Sequence, residues 1–357
     1  MKKILSVVGA RPQFIKAAVV SRELRKEYKE VSVHTGQHYS YNMSELFFKE
    51  LEIPKPDYNL GISGGSHGEM TGRMLIELEK VILEEKPDGM LLYGDTNSTM
   101  AAALAGVKQH IPIAHVESGN RFGTLDSPEE VNRIVTDHVS KILMCCTESA
   151  RDFLIKEGLS DRAYVVGDPM LDAFKFYTHK ISDEAPEKLI DLQKKEIKMP
   201  ESFYYLTCHR QENTETDETL FEILSAMNEL DSKCIYPVHP RNQERVKRLK
   251  KENDFSNIIF CEPVGYLMSV YLVNRAKKIV TDSGGLQREA YFAQKQCVTI
   301  LDFIVWKETM KEGRNRLAKP LKGDILKKLD MKAEFGDCNE FGDGNSAKKI
   351  IELLKLL

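Results

Sequence analysis

Short apolar runs alternate with amphipathic stretches along almost the whole chain, and stacked β-α-β units are the arrangement that absorbs such a pattern. Runs of strand length occupy residues 3–8, 31–35, 89–94, 111–117 and 142–147. Between them the spacing predicts helices over 12–30, 42–51, 73–85, 98–109, 130–139 and 149–158, with Pro12 opening the first. A charged, poorly periodic stretch at about 175–200 interrupts the pattern, which then restarts. Strands are predicted at 203–208, 234–238, 258–261, 278–281 and 296–301, and helices at 219–230, 243–252, 267–274 and 286–293. The expectation is an α/β chain of two doubly wound parallel sheets with a crevice between them.

Composition removes whole classes of function. Lys and Arg number 51 against 54 Asp and Glu, a net charge of −3, a near-balance that gives no support for a nucleic-acid or membrane-surface footprint. No apolar run approaches the roughly 18 residues of a membrane span. The N-terminus opens straight into an apolar strand, which predicts no secretory leader and a cytoplasmic protein. The seven cysteines form no CxxC pair and fall mostly in strand-like runs, as buried reduced thiols do. GxGxxG, Gly-Lys and HExxH are all absent, so dinucleotide dehydrogenase, P-loop kinase and zinc hydrolase drop away. A GxGxxA at Gly342, Gly344 and Ala347 has only ten residues after it, too few for a βαβ unit.

What remains is polar chemistry at the carboxyl ends of the strands, where open α/β sheets bind ligands. The first block contributes Arg11, Lys16, Asp95 and Glu117, with Glu129 and Arg133 on the 128–133 helix start. The second contributes His209, Arg210 and His239, and the turn Ser283-Gly284-Gly285 that runs into a helix. Each has a plainer reading alone: Asp95 as a helix cap, Glu129 as an acidic first turn, Lys16 as a solvated helix residue. Together, cations, carboxylates and histidines at one edge point to a charged substrate. The glycine turn at a helix N-terminus suits a diphosphate, Glu289 suits ribose hydroxyls, and Arg316 suits a further phosphate contact.

These residues lie in a series of ordered motifs. GARPQFIK (9–16), TGQH (35–38), YGDTNST (93–99), HVESGNR (115–121), PEEVNR (128–133), CHRQEN (208–213), YPVHPR (236–241), EPVGYL (262–267) and TDSGGLQREA (281–290) resemble the non-hydrolysing UDP-N-acetylglucosamine 2-epimerase family over nearly the whole chain. The resemblance implies a glycosyltransferase-B-like fold of two Rossmann-like domains around a deep cleft. It places the first domain at 1–168 with a returning helix at 345–357, and the UDP-binding domain at 169–344. It implies a cytoplasmic homodimer that acts on a UDP-sugar with no NAD and no required metal, inverting C2 by elimination and re-addition of UDP. Carried over by position, Asp95, Glu117, Glu129, His209 and Lys16 match the catalytic residues. Arg11, Arg133, Arg210, His239, Ser283, Gly284, Gly285, Glu289 and Arg316 are the substrate-binding set.

Several stretches, among them IPKPDY (53–58) and EMTGRML (69–75), look most like the branch acting on UDP-2,3-diacetamido-2,3-dideoxy-glucuronate. Arg210, Lys307 and Arg314 are the cations that a uronate carboxylate would call for. The chain departs from the family at Asn120 and at Ile304-Val305, and its 64–69 loop does not match the allosteric loop of bacterial members. Three alternatives stay open on the residues: a hydrolysing epimerase, a glycosyltransferase of the same fold, and a catalytically silent UDP-sugar-binding protein.

Overall fold

Seven parallel strands form the first sheet in the order β3-β2-β1-β4-β5-β6-β7. They are β1 Lys3–Val8, β2 Lys29–His34, β3 Tyr58–Asn59, β4 Gly89–Tyr93, β5 Ile113–Ser118, β6 Ile142–Cys145 and β7 Ala163–Val165. After a two-stranded hairpin, β8 Leu189–Ile190 and β9 Glu196–Ile197, six more parallel strands form the second sheet. These are β10 Phe203–Thr207, β11 Lys233–Pro237, β12 Ile258–Cys261, β13 Ile279–Thr281, β14 Cys297–Thr299 and β15 Asn315–Leu317, in the order β12-β11-β10-β13-β14-β15. This computed structural model describes residues 1–37, 48–183 and 188–357.

Counted within its own unit, the first sheet runs 3-2-1-4-5-6-7 and the second 3-2-1-4-5-6, the doubly wound order that reverses direction between the first and fourth strands. The chain divides into one compact unit of Met1–Lys175 with Asn339–Leu357, and a second of Phe176–Cys338. The two form α/β layers of parallel sheet and flanking helices.

Local sequence explains the elements. β4 is Gly-Met-Leu-Leu-Tyr and buried throughout, as a central parallel strand covered on both faces must be. Helices start where a hydroxyl side chain accepts a first-turn N–H: Ser66 from Glu69, Thr96 from Thr99, Thr147 from Ala150, Thr216 from Thr219 and Ser283 from Leu286. Val7, Leu78, Met90, Leu92 and Ala102 are among the core residues of the first unit, and Leu206, Ile223, Tyr236, Val280 and Val298 among those of the second.

The poorly periodic stretch is more ordered than its pattern predicts. A helix covers Pro169–Asp183, and the β8–β9 hairpin bridges through Asp191 to Cys261 at the edge strand β12. Two-residue strands carry no readable alternation. Most of the helix predicted at 42–51 lies outside the described residues. Six of the seven cysteines are buried and all are free; burial pushes the thiols of Cys145, Cys261 and Cys297 up to about 12. Among the described residues, no helix is long and apolar enough to cross a membrane.

Candidate active site

In the first unit one side chain staples the reversal point. Gln13, in the first turn after β1, accepts from the N–H groups of Gly9 (2.7 Å) and Ala10 (2.9 Å). Its amide donates to the Tyr93 carbonyl at 2.6 Å, so the ends of β1 and β4 are held together. Gly9 is required there: a Cβ would stand 2.2 Å from Ser98 Oγ and 2.3 Å from Thr35 Oγ1.

Charge is buried beside this staple. Lys16, two helical positions past the first turn, is 2% exposed and ion-paired with Glu117, which is 5% exposed. Its ammonium lies 3.6 Å from where a Gly94 Cβ would stand, so it also borders the turn leading to Asp95. Glu117 has φ +67°, the left-handed region that non-glycine residues rarely occupy, and the β5–β6 register shifts across it. Such strain persists where surrounding structure holds it, and it re-aims a side chain at a strand end. Gly119 completes the turn at φ +84°, where a Cβ would come within 2.4 Å of the Ala150 carbonyl oxygen.

Asp95 does not cap the following helix; Thr96 does. The Asp95 carboxylate instead meets the Arg133 guanidinium, which is 2% exposed and also donates to Glu130 at 2.9 Å. Arg133 thus pairs with Asp95 and Glu130 and not with Glu129, the carboxylate one turn before it. Glu129 is exposed and accepts from Ser127 Oγ at 2.6 Å, whereas Glu130 is buried and accepts from the N–H groups of Phe122 (2.8 Å) and Gly123 (3.1 Å). Donors on two sides draw Glu130 inward, and the helix face three residues before Arg133 carries it. Asn132, from the same helix, donates to the Asp95 carbonyl at 3.0 Å. Arg11 is half-buried at the first helical residue after β1.

Behind Glu117, the ligand-type atoms of Cys146 and Asp168 lie within 4.8 Å of each other and of its carboxylate. Of these three, Glu117 has the Lys16 ammonium as its counter-charge.

The second unit staples its reversal point with a carboxylate. Asp282, following β13, accepts from the N–H groups of His209 and Arg210 after β10, each at 2.8 Å. His209 Nδ1 lies 3.0 Å from its other oxygen. Burial pushes the Asp282 carboxyl up, but the His209 hydrogen bond and charge and the two backbone N–H bonds outweigh it, leaving it below the ordinary carboxylate value. The His209 side chain is 41% exposed and stacks on His239, ring centroids 5.9 Å apart. His239 Nδ1 accepts from the Arg241 N–H at 3.3 Å. Arg210 donates from Nε to the Asp282 carbonyl at 3.0 Å and lies over the Phe303 ring.

Ser283 caps the helix Gly284–Phe292, and Glu289 is buried on it. Neither Gly284 nor Gly285 is demanded by the fold, since a Cβ would meet nothing closer than 3.6 Å and φ is not positive at either. Arg316 donates to the carbonyls of Gly313 (2.6 Å), Lys332 (2.5 Å) and Met331 (3.4 Å). Arg314 is buried, donating to Tyr291 Oη and the Glu334 and Asp337 carbonyls, which takes it off the list of cations for a uronate.

Sequence reading missed Gln13, Glu130, Asn132 and Asp282. A signal existed for some of them. Gln13 occupies the N3 position of a capping box, and Asp282 ends an apolar strand beside the glycine turn.

Comparison with known proteins agrees with this geometry. Residues 22–355 match the family model described as UDP-N-acetylglucosamine 2-epimerase. A UDP-N-acetylglucosamine 2-epimerase homolog of Methanococcus maripaludis is 46% identical, over 99% of this chain and 100% of its own length. The UDP-2,3-diacetamido-2,3-dideoxy-D-glucuronate 2-epimerase of Pseudomonas aeruginosa is 43% identical, over 99% and 100%. The crystal structure of Methanocaldococcus jannaschii UDP-GlcNAc 2-epimerase in complex with UDP-GlcNAc and UDP superposes with a TM-score of 0.86 at 37% identity, covering 99% of this chain and 100% of that one. The fold is glycosyltransferase-B-like, with two Rossmann-like units.

Proposed function

The chain belongs to the UDP-N-acetylglucosamine 2-epimerase family and is an isomerase, a UDP-sugar 2-epimerase, and from that premise we propose how its residues divide the reaction. The proton on C2 is weakly acidic, so it leaves only to a positioned base while the C1–O bond to UDP breaks. The products of that step are a 2-acetamidoglycal and UDP. UDP then re-adds at C1 as a proton is delivered to the opposite face of C2. No net oxidation occurs, so the cycle calls for no nicotinamide.

Asp95 and Glu117 are the acid/base carboxylates. The observation that carries this is the buried Lys16–Glu117 pair on a strained strand end, beside the turn that leads to Asp95. Lys16 pairs with Glu117 and Arg133 with Asp95, which holds the two carboxylates in place, and Glu129 contributes from the exposed helix start. In the second unit the Ser283 turn takes the diphosphate, Glu289 the ribose, and His209, held by Asp282, the departing phosphate; in the first unit Arg11 is a further cation for the substrate. Gly284 and Gly285 support this, because the bare backbone there answers no need of the chain itself.

The sugar is UDP-GlcNAc or its 2,3-diacetamido-glucuronate counterpart, and the product serves surface glycan assembly. Arg210, a guanidinium with its plane fixed by Asp282 and Phe303, is the candidate partner of a C6 carboxylate. Incubation with each sugar, read by chromatography and with kcat/KM compared, tests the reading. Epimer is expected; free sugar plus UDP would make the enzyme a hydrolase, and no conversion of either would make it a binding protein. Turnover is expected to survive EDTA. A cytoplasmic homodimer belongs to the same proposal, and light scattering reads the oligomer.

A further inference from the structure

His115 sits in the middle of β5, fully buried, in a strand that otherwise reads as apolar until Glu117. Both of its ring nitrogens face acceptors. Nε2 lies 2.6 Å from the Gly94 carbonyl oxygen, and Nδ1 lies 2.7 Å from Asp137 Oδ1. A backbone carbonyl only accepts, so Nε2 carries hydrogen. Neutral imidazole would then present a bare Nδ1 to a carboxylate oxygen, two acceptors face to face. The pair therefore holds one proton more than neutral imidazole plus carboxylate.

The surroundings decide where that proton sits. Asp137 Oδ2 accepts from the Gly119 N–H at 3.1 Å and from Arg121 at 2.8 Å. Arg121 also pairs with Glu157 at 2.7 Å, so two cations and two carboxylates balance. Burial raises the Asp137 carboxyl, yet the His115 hydrogen bond and the His115 and Arg121 charges bring it below its ordinary value.

The same pair touches both turns that present the proposed acid/base groups. Gly94 immediately precedes Asp95; its N–H donates to the Val116 carbonyl while its carbonyl accepts from His115. Gly119 ends the strained turn that carries Glu117, and its N–H is held by Asp137. We infer that His115 is a positioning residue: a doubly protonated imidazolium, with Asp137 as its counterion, that clamps the Asp95 turn to the Glu117 turn. This rests on the assignment of the chemistry to Asp95 and Glu117. The clamp acts on geometry alone and touches no substrate.

The test has two parts on the full-length enzyme. Nitrogen-15 NMR of histidine-labelled wild type needs no substrate and reads His115 directly. Both ring nitrogens are expected to carry hydrogen at neutral pH, and in Asp137→Asn the Nδ1 proton should vanish while Nε2 keeps its own. A bare nitrogen in the wild type overturns the assignment. Kinetics follow, on a preparation first shown to epimerise; a wild type without that activity would fail the functional reading and leave the NMR result standing. His115→Gln, which donates from one point only, should lower kcat about 10²-fold with KM held within about threefold, the scale of a misplacement of about 1 Å. Asp137→Asn, whose amide can bridge to a neutral His115, should lose less. Full kcat in folded His115→Gln contradicts the clamp. So does a His115→Gln that fails to fold, because the residue would then hold the fold rather than the site.

Discussion

The two sheets share one strand order, yet their reversal points are built from opposite materials. In the first unit a neutral amide, Gln13, joins the β1 and β4 ends, and charges gather beside it: the buried pair Lys16 and Glu117, and buried Arg133 with buried Glu130 and half-buried Asp95. In the second unit the staple is itself a charge, Asp282, and what surrounds it is more open: a 41% exposed His209, a partner His239 and a capped glycine turn. Topology fixes where a ligand meets such a sheet, and the residues at the strand ends fix what happens there. A largely buried set of paired charges with one carboxylate at its open side suits proton transfer; an open turn of N–H groups suits an anion that must enter and leave.

The largest expected effect breaks the first site alone. Asp95→Asn and Glu117→Gln should each cut kcat by at least ~10² while UDP affinity by calorimetry stays nearly unchanged. Glu117→Gln also leaves Lys16 buried without its anion, so its melting temperature should fall, by the equivalent of about 3–5 kcal/mol. Lost UDP binding with intact turnover would reverse the roles of the two units.

The second site breaks in the other sense. Ser283→Ala combined with Glu289→Ala should weaken UDP binding at least about tenfold, the scale of one lost hydrogen bond to a charged group. Saturated kcat should change less than in Asp95→Asn. Unchanged UDP affinity would remove the Ser283 turn from the diphosphate site.

A smaller effect distinguishes Glu130 from its neighbour. Glu130→Gln weakens the hold on Arg133 and should lower kcat about tenfold, at about 1.4 kcal/mol for one weakened charge-assisted bond. Its melting temperature should fall as well. Glu129 is exposed, so Glu129→Gln should leave stability unchanged, and any loss it shows would be in kcat alone.

The contrast between those two glutamates shows how far sequence reading reaches. Alternating runs announced both sheets, because covered parallel strands are apolar along their whole length. Polar residues at strand ends announced Asp95, Glu117, His209 and Ser283. Pairing within the site was not legible: PEEVNR offers two carboxylates, and only the N–H groups of Phe122 and Gly123, distant in pattern, select Glu130 for Arg133. His115 and Asp137 hide inside regular elements, and Arg314 reads as a cation for a uronate although the 334–337 crossing buries it. Contacts of that kind depend on tertiary approach, which no local period encodes.

The smallest expected effect concerns acid stability. Asp137 and Asp282 lie below their unfolded value of about 3.9. Between folded and unfolded values the unfolded chain binds more protons, so stability rises with pH there. Their contribution is therefore complete above about pH 4 and lost as pH falls through the folded values. Melting temperature should drop below about pH 4 in the wild type and less steeply in Asp282→Asn. Equal slopes would remove the Asp282 staple from the account.

Proton NMR of the reaction in D₂O tests the central claim most directly. Proton abstraction at C2 through a glycal, with return of a solvent-derived proton, predicts that the epimer carries deuterium at C2, and that remaining substrate acquires it as equilibrium is approached. Epimer formed with protium retained at C2 would contradict the account, because the hydrogen would then never have passed through an acid/base carboxylate open to exchange.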